Sequence, residues 1–269
     1  MAYRLFTAMS ENDQDMRSTV RRRTVILEKL EQDNQVNVSE LSTELGVSEV
    51  TIRNDLAQLE LKNLLIRARG GAIKVSRVGM DHRLSEKNKV NIKEKRKIGK
   101  AAARLISDND TIIIDSGSTT SELVHHMDGV SNLNVITNAL TIASQLSNLQ
   151  NINVIVPGGF LRRESLSLVG APAENTFQNY YCDKLFLGAD GIDIEHGLST
   201  PNIEEAHLNQ KMISISKQVI LLADSSKFSK RSLAYICSMD KVDVLVTDSG
   251  ISKEFKNQLE RLGINVIVA

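Results

Sequence analysis

Seven short apolar runs mark the second half of this chain, and none of them alternates cleanly between apolar and polar residues. A strand with one face in water alternates, whereas a strand covered on both faces is a continuous run of Val, Ile and Leu. Helical patterns separate the runs, which favours parallel strands joined by right-handed crossovers. We therefore predict a doubly wound, mostly parallel α/β domain with strands at 111–115, 133–137, 152–156, 184–189, 218–223, 242–247 and 264–269.

The first part of the chain has a different pattern, because short amphipathic helices take the place of the β-branched runs. The length of 269 residues also exceeds the usual size of one domain. We expect a disordered polar tail over 1–16 and a small helical domain over 17–75. A basic linker over 76–95 then leads to the α/β domain over 96–269.

Charge is balanced over the whole chain but not along it. Lys and Arg total 33, as do Asp and Glu, giving a formal net charge of zero. Between Arg77 and Arg104, however, ten basic residues stand against three acidic ones. This local excess fits either a nucleic-acid-binding face or a solvated, charged linker.

Several classes of protein are disfavoured by the composition. No apolar stretch approaches the roughly 20 residues that span a bilayer, and the N-terminus lacks the pattern of a secretory signal. Cys182 and Cys237 are far apart, which fits a reducing compartment, and the five histidines show no metal-ligand spacing. We expect a cytoplasmic protein with no membrane partner, no metal site and no cofactor.

Three helical patterns precede the basic segment. The first runs from Thr19 to Leu30, and the second is expected to begin at an N-cap, Ser39, and to end at Gly46 in the left-handed conformation. In the third, Ile52, Leu56 and Leu59 form an apolar stripe that would pack on the first two helices.

The opposite face of the third helix is polar. This is the placement of a recognition helix, which presents side chains near its N-terminus to the edges of bases. Arg pairs with guanine and Asn with adenine through two hydrogen bonds each, so Arg53 and Asn54 are the natural base readers. A small helical hairpin with a polar surface explains the periodicity equally well. The candidate DNA-binding residues are Ser48, Glu49, Thr51, Arg53, Asn54 and Gln58.

A β-hairpin is predicted directly after these helices. The stretch 64–73 ends in two glycines and has arginines at alternate positions, Arg67 and Arg69, which alternation puts on one face. A hairpin beside a recognition helix is a wing, and its arginines are placed to contact phosphates without reading sequence.

A Ser/Thr/Gly turn follows the first predicted strand of the α/β domain. Such a turn at the start of a helix offers free backbone N–H groups to a phosphate, although a plain capped helix accounts for it as well. The leading carboxylate would repel phosphate, so we expect it to orient the loop or to accept from a sugar hydroxyl. The candidate residues are Asp115, Ser116, Gly117, Ser118, Thr119 and Thr120.

Polar residues also follow other predicted strands, and ligands of open α/β sheets gather at the carboxyl ends of strands. Lys227 is the best candidate to contact a phosphate. Either Glu204 or its neighbour Glu205 could accept from sugar hydroxyls, and the other would be a carboxylate at a helix start. The remaining effector candidates are Asn138, Gly158, Gly159, Asp190 and Glu204.

Both halves resemble one family. The stretch VSEVTIRNDLAQLELKNLLIRARGGA resembles the signature of the DeoR family of bacterial sugar-metabolism regulators, and DSGSTT, TNAL, PGG, LGADGID, GLST and ADSSKF resemble its effector domain in the same order. The segments TIRNDL and QNYYCDKLFLGADGID are most similar to its N-acetylgalactosamine-pathway subgroup. The resemblance implies a winged helix-turn-helix followed by a sensor of phosphorylated sugars that is related to sugar-phosphate isomerases.

These observations predict a sequence-specific transcriptional regulator, a repressor of a carbohydrate-utilisation operon that a phosphorylated sugar releases. Its partners would be double-stranded operator DNA, the sugar phosphate and further copies of itself in a dimer or tetramer. The alternative is a sugar-phosphate isomerase-like enzyme with an accessory DNA-binding domain. An isomerase has no use for a wing and a recognition helix, so we expect no catalytic residues. A pure assembly module is a third possibility, but it would need no convergent polar strand ends.

Overall fold

The computed structural model describes residues 19–33, 35–61, 64–68, 70–74 and 81–269. Two compact units divide the chain, an N-terminal unit over Met1–Ser76 and a C-terminal unit over Arg77–Ala269. The predicted tail over 1–16 and the predicted wing residue Arg69 lie outside the described residues.

Helices and a small antiparallel sheet make up the described part of the N-terminal unit. The sheet order is β1–β3–β2, so the predicted hairpin supplies β2 and β3 and a further strand extends it. That strand is only three residues long, too short to leave a pattern in the sequence. The elements are α1 (Thr19–Asp33), β1 (Gln35–Asn37), α2 (Val38–Leu45), α3 (Glu49–Leu61), β2 (Leu65–Ala68) and β3 (Gly71–Lys74).

The boundaries of α2 confirm one prediction and correct another. Gly46 ends the helix at a φ of +62°, and its N–H donates to the carbonyl oxygen of Ser42. The N-cap, however, is Asn37 and not Ser39, because the Asn37 side chain accepts from the Ser39 N–H at 2.9 Å. Both residue types cap helices well, so the sequence offers two starting points only two residues apart.

A buried carboxylate fixes α3 in the N-terminal unit. Asp55 is 2% exposed, and its two oxygens accept from Arg22 Nε at 2.5 Å and Arg23 Nε at 2.8 Å, both from α1. The stripe of Ile52, Leu56 and Leu59 is buried beside it, as predicted. Packing and ion pairing therefore hold the polar face of α3 outward.

The C-terminal unit contains the predicted parallel sheet. All seven predicted runs form strands of one sheet in the order β15–β14–β12–β9–β4–β5–β6, and each adjacent pair is parallel. Its strands are β4 (Thr111–Ile114), β5 (Leu133–Ile136), β6 (Ile152–Ile155), β9 (Cys182–Leu187), β12 (Ser216–Leu222), β14 (Val244–Thr247) and β15 (Asn265–Val268).

Both faces of the sheet are buried, which explains the continuous apolar runs. Ile112 and Ile114 belong to one core cluster and Ile113 to the other, and all three are 0% exposed. Helices and two smaller antiparallel sheets accompany the main sheet. They are α4 (Leu84–Lys87), α5 (Ile92–Ala103), α6 (Thr120–Val124), α7 (Leu140–Leu146), β7 (Phe160–Arg162), β8 (Ser167–Val169), α8 (Ala171–Phe177), β10 (Gly191–Asp193), β11 (Gly197–Thr200), α9 (Ile203–Ser214), β13 (Ala234–Cys237) and α10 (Lys253–Arg261).

The sheet changes direction at its centre. The chain runs outward from β4 to β5 and β6, and β9 then lies on the other side of β4. Such a reversal opens a crevice at the carboxyl ends of the two central strands. In this fold the crevice lies between β4 and β9.

Of the segment predicted as a linker over 76–95, residues 81–95 are among those that the structure describes. Leu84 is buried, and its N–H donates to the carbonyl oxygen of Glu164 at 2.6 Å. Lys95, in α5, is 3% exposed. Residues 81–95 therefore pack within the C-terminal unit, and we call residues 81–91 the connecting segment. Its basic composition fitted either a nucleic-acid-binding face or a solvated linker, and one of its lysines, Lys87, lines the pocket described below.

Loss of the Asp55 charge is expected to destabilise the N-terminal unit. Asp55→Asn keeps the shape of the side chain but removes the buried charge that Arg22 and Arg23 share. Removing one partner of a buried pair costs about 3 kcal/mol or more. Denaturant titration of this variant should show that loss of unfolding free energy. Asn54→Ala, at the adjacent exposed position, is the control and should remain within about 0.5 kcal/mol of the parent.

Candidate functional site

A pocket lies where three neighbouring strands end. The carboxyl ends of β4, β9 and β12 contribute the loops around Asp115, Asp190 and Lys227, and the connecting segment contributes further residues. The lining residues are His82, Leu84, Lys87, Asp115, Ser116, Gly117, Ser118, Thr119, Glu164, Ser165, Gly188, Ala189, Asp190, Thr200, Glu205, Asn209, Leu222 and Lys227.

The loop after β4 is folded by Thr120. Its hydroxyl accepts from the Gly117 N–H at 2.8 Å and donates to the Asp115 carbonyl oxygen at 2.6 Å. Thr120 is 0% exposed and so supports the loop from behind, while residues 115–119 line the pocket. Five of the six residues predicted in this turn thus face the pocket, and the sixth shapes it.

Two lysines share one carboxylate at the pocket rim. Lys87 Nζ lies 2.9 Å from Asp190 Oδ2, and Lys227 Nζ lies 3.1 Å from Asp190 Oδ1. Burial opposes ionisation of Asp190, but the charges of Lys227 and Lys87 outweigh it and lower its pKa to about 2. The trio therefore carries an excess of positive charge, as an anion-binding site requires. Sequence reasoning missed Lys87 because it lies in the expected linker.

A third cationic side chain, Lys95, lies next to this trio. Lys95 Nζ donates to the carbonyl oxygen of Lys87 at 2.5 Å. Burial lowers the pKa of Lys95 to about 8, although the charge of Asp224 opposes that shift. Asp224 also accepts from Asn91 Nδ2 at 2.9 Å, so the connecting segment is anchored at the end of β12 as well.

Two buried carboxylates form the other side of the pocket. Glu205 Oε1 accepts from Arg162 at 2.9 Å, and Glu205 Oε2 accepts from Thr200 at 3.2 Å. Asp115 Oδ2 accepts from the Gly188 N–H at 3.1 Å. Burial, reinforced by the charge of Glu205, raises the pKa of Asp115 to about 7, and the Gly188 hydrogen bond only partly offsets this. Carboxylates in this arrangement accept hydrogen bonds from hydroxyl groups.

Besides Thr120, four of the predicted effector residues do not line the pocket. Asn202 caps α9 by accepting from the N–H groups of Glu204 and Glu205, which turns Glu204 to the exposed surface and Glu205 inward. The Glu204 assignment is thus corrected to Glu205. Asn138 donates to the carbonyl oxygen of Leu168 at 3.3 Å and faces β8. The other two, Gly158 and Gly159, follow the edge strand β6, away from the central crevice.

The N-terminal unit presents most of its predicted DNA-reading residues on one helix. Arg53, Asn54 and Gln58 are exposed on α3, whereas Glu49 and Thr51 are half-buried. Ser48 caps the helix, since its hydroxyl accepts from the Thr51 N–H at 3.2 Å. Arg67 is exposed on the wing strand β2.

Arg53 forms an ion pair within α3. Glu49 Oε2 accepts from Arg53 Nη2 at 2.5 Å, one helical turn away. Both side chains are about half exposed, so the pair contributes little stability but limits the directions that the guanidinium can take. A base edge that pairs with Arg53 must compete with Glu49 for its donors.

The part of the chain that the structure describes contains no cluster of His, Cys, Asp and Glu that could hold a metal ion. Within the same residues, no helix combines the length and the apolar character needed to cross a membrane.

Two family profiles match this chain. Residues 22–78 match a DeoR-like helix-turn-helix domain, and residues 90–249 match the DeoR C terminal sensor domain. The first match includes α3 and the wing, and the second includes the three strands that end at the pocket.

Curated relatives resemble the chain over nearly its full length. A "Putative aga operon transcriptional repressor" of Escherichia coli O157:H7 is 38% identical, covering 93% of this chain and 94% of that protein. The HTH-type transcriptional repressor GlcR of Bacillus subtilis is 36% identical, over 92% of this chain and 95% of GlcR. The HTH-type transcriptional regulator GolR of Listeria innocua is 35% identical, over 92% and 98%.

Solved structures resemble the chain more distantly. Ribose 5-phosphate isomerase A from Neisseria gonorrhoeae is 16% identical and has a TM-score of 0.35, covering 51% of this chain and 53% of the isomerase. At that level the likeness does not bear on function.

The raised pKa of Asp115 predicts a pH dependence of stability. Between pH 4 and pH 7 the folded state keeps the Asp115 proton that the unfolded state releases, so stability falls as pH rises through this window. Asp115→Asn removes this proton uptake. The variant should gain stability relative to the parent between pH 4 and pH 7, on the order of 4 kcal/mol. Unfolding titrations at several pH values measure the difference, and a constant difference across the window would contradict the assignment.

Proposed function

The chain belongs to the DeoR family of DNA-binding transcriptional regulators, and on that premise we propose that it represses a carbohydrate-utilisation operon and is released by a phosphorylated sugar. The observation that carries the effector half of this proposal is the pairing of Lys87 and Lys227 on the single carboxylate of Asp190. Asp190 neutralises only one of the two lysine charges, and a phosphate dianion would compensate the remaining positive charge.

The pocket has separate places for the two ends of a sugar phosphate. We place the phosphate between the two lysines and the loop of Ser118 and Thr119. The hydroxyls then point toward the carboxylates of Asp115 and Glu205, which accept hydrogen bonds. A pocket with cations on one side and carboxylates on the other suits a ligand that is anionic at one end and rich in donors at the other.

In the N-terminal unit we assign base reading to α3 and phosphate contact to the wing. Arg53 and Asn54 are the exposed residues of α3 that can form two hydrogen bonds with a single base. The boundaries that we propose are 17–75 for DNA binding and 81–269 for sensing and assembly, since residues 81–95 pack on the C-terminal unit.

We infer a homo-oligomer because one recognition helix reads too few base pairs for specificity in a genome. Two or more copies of the N-terminal unit on repeated or palindromic half-sites supply the missing contacts. Whether the assembly is a dimer or a tetramer would follow from sedimentation of the free protein and of its operator complex.

An isomerase-like enzyme is disfavoured by family membership. The matched profiles describe a helix-turn-helix domain and a sensor domain, and the relatives above are named transcriptional regulators or repressors. The carboxylates and lysines of the pocket suit contacts to a bound ligand, and they require no catalytic role.

The DNA-reading assignment predicts two kinds of variant. Arg53→Ala should weaken operator binding by about 1–3 kcal/mol and relax base preference at one position. Arg67→Ala should weaken binding to all sequences by a similar factor and reduce its salt dependence. Fluorescence anisotropy with the operator and single-base variants measures both, and Lys29→Ala on α1 is the control for loss of one positive charge. A change of base preference in Arg67→Ala, with none in Arg53→Ala, would overturn the assignment.

The effector assignment predicts a loss of ligand response. Thermal-shift screening of hexose and pentose phosphates with the parent protein identifies the best ligand, because a ligand that binds only the folded state raises the Tm. Lys87→Ala or Lys227→Ala removes one charged partner and should weaken that ligand about 10–100-fold. The exposed neighbour Lys89→Ala is the control and should bind like the parent. Equal binding by all four proteins would remove the lysine pair from the site, and no shift with any sugar phosphate would refute the sensor assignment.

A further inference from the structure

One buried arginine connects the pocket to the connecting segment. Arg162 ends β7 and is only 8% exposed. Its Nη1 lies 2.9 Å from Glu205 Oε1 and donates to Ser165 Oγ at 2.8 Å, while its Nη2 forms an ion pair with Asp81 Oδ2. A single guanidinium thus holds two carboxylates from distant parts of the sequence.

The two carboxylates belong to different functional parts of the C-terminal unit. Glu205 lines the pocket. Asp81 lies in the connecting segment, five residues after Ser76, where the N-terminal unit ends. Arg162 therefore forms ion pairs both with the pocket wall and with the chain that leads to the DNA-binding unit.

Asp81 and Glu205 compete for this guanidinium. Two negative charges repel each other and share one positive charge, so each is held less firmly than it would be alone. Glu205 has a second partner in Thr200, at 3.2 Å. Asp81 depends more on Arg162, because its other oxygen, Oδ1, is buried with no hydrogen-bond partner among the described residues.

We propose that Arg162 is a positioning residue through which the occupant of the pocket sets how firmly the connecting segment is held. The proposal rests on the function proposed above, since it takes the occupant to be the effector. A ligand hydroxyl that donates to Glu205 offsets part of its charge. More of the guanidinium then serves Asp81, and the connecting segment is held more tightly.

The structure contains a local reporter of this change. The Leu84 N–H donates to the Glu164 carbonyl oxygen, in the turn between β7 and β8, at 2.6 Å. That hydrogen bond docks the connecting segment on the same hairpin that carries Arg162. Hydrogen exchange at the Leu84 amide therefore measures how often the segment detaches.

The test is a double-mutant cycle in the ligand-free, full-length protein. Asp81→Asn should speed exchange at Leu84 about tenfold, because a charged hydrogen bond is lost. Glu205→Gln should slow exchange several-fold, because the competing charge is gone and Arg162 serves Asp81 alone. In the Asp81→Asn background, Glu205→Gln should have no effect. Glu204→Gln, at the exposed neighbouring position, is the matched control and should leave exchange unchanged in both backgrounds.

A merely structural role would give another result. If Glu205→Gln speeds exchange at Leu84, or has the same effect with and without Asp81, then Arg162 does not connect the two carboxylates. Exchange at Ile113, in the sheet core, is recorded alongside, so that global destabilisation is recognised. If Asp81→Asn does not fold, Arg162→Lys replaces it in the cycle and Arg163→Lys is its control. Because no ligand is present, this outcome is independent of whether a sugar phosphate binds.

Discussion

Burial of both faces of the parallel sheet is the constraint on which the C-terminal unit depends. Consecutive residues such as Ile112 and Ile113 enter opposite core layers, so the middle of the strand holds apolar side chains. The charged residues Asp183, Lys184 and Lys217 lie near the amino ends of β9 and β12, and further charged and polar groups follow the carboxyl ends. At the carboxyl ends of β4, β9 and β12 they meet where the chain reverses direction, and the pocket arises there as a consequence of the topology.

The two units stabilise their buried charges in different ways. In the N-terminal unit, Asp55 is matched by Arg22 and Arg23, and the result is a rigid attachment of α3. In the pocket the buried charges are only partly compensated. Two lysines share the single carboxylate of Asp190, and burial raises the pKa of Asp115 to about 7. A ligand with complementary charge can therefore form favourable interactions that the charged groups of the pocket do not form with one another. The ion pairs of Asp55 and the charged pocket thus follow from the same rule, that a buried charge requires a partner of opposite charge.

Structural features that depend on local sequence pattern could be predicted, whereas features that depend on contacts between residues distant in sequence were missed. Apolar runs identified all seven strands, and Gly46 and the Ile52 stripe identified the end of α2 and the buried face of α3. The strand β1 is too short for periodicity to reveal, and its pairing with β3 decides its existence. Lys87 was assigned to a linker because only the fold brings it to Asp190, 103 residues away. The sequence could not decide between Glu204 and Glu205, because the phase of α9 depends on which residue caps it, and Asn202 sets that phase.

The connecting segment links the pocket to the DNA-binding unit. An effector alters DNA affinity only if it interacts unequally with two arrangements of the protein, and the coupling is reciprocal. Three side chains attach the segment to the pocket region, since Asp81 contacts Arg162, Lys87 contacts Asp190 and Asn91 contacts Asp224. Two of these attachments, through Arg162 and Asp190, involve groups that a bound sugar phosphate would also engage or perturb. On the placement proposed above, a ligand in the pocket would change the free energy with which the segment is held, and that segment is the covalent route to the DNA-binding unit.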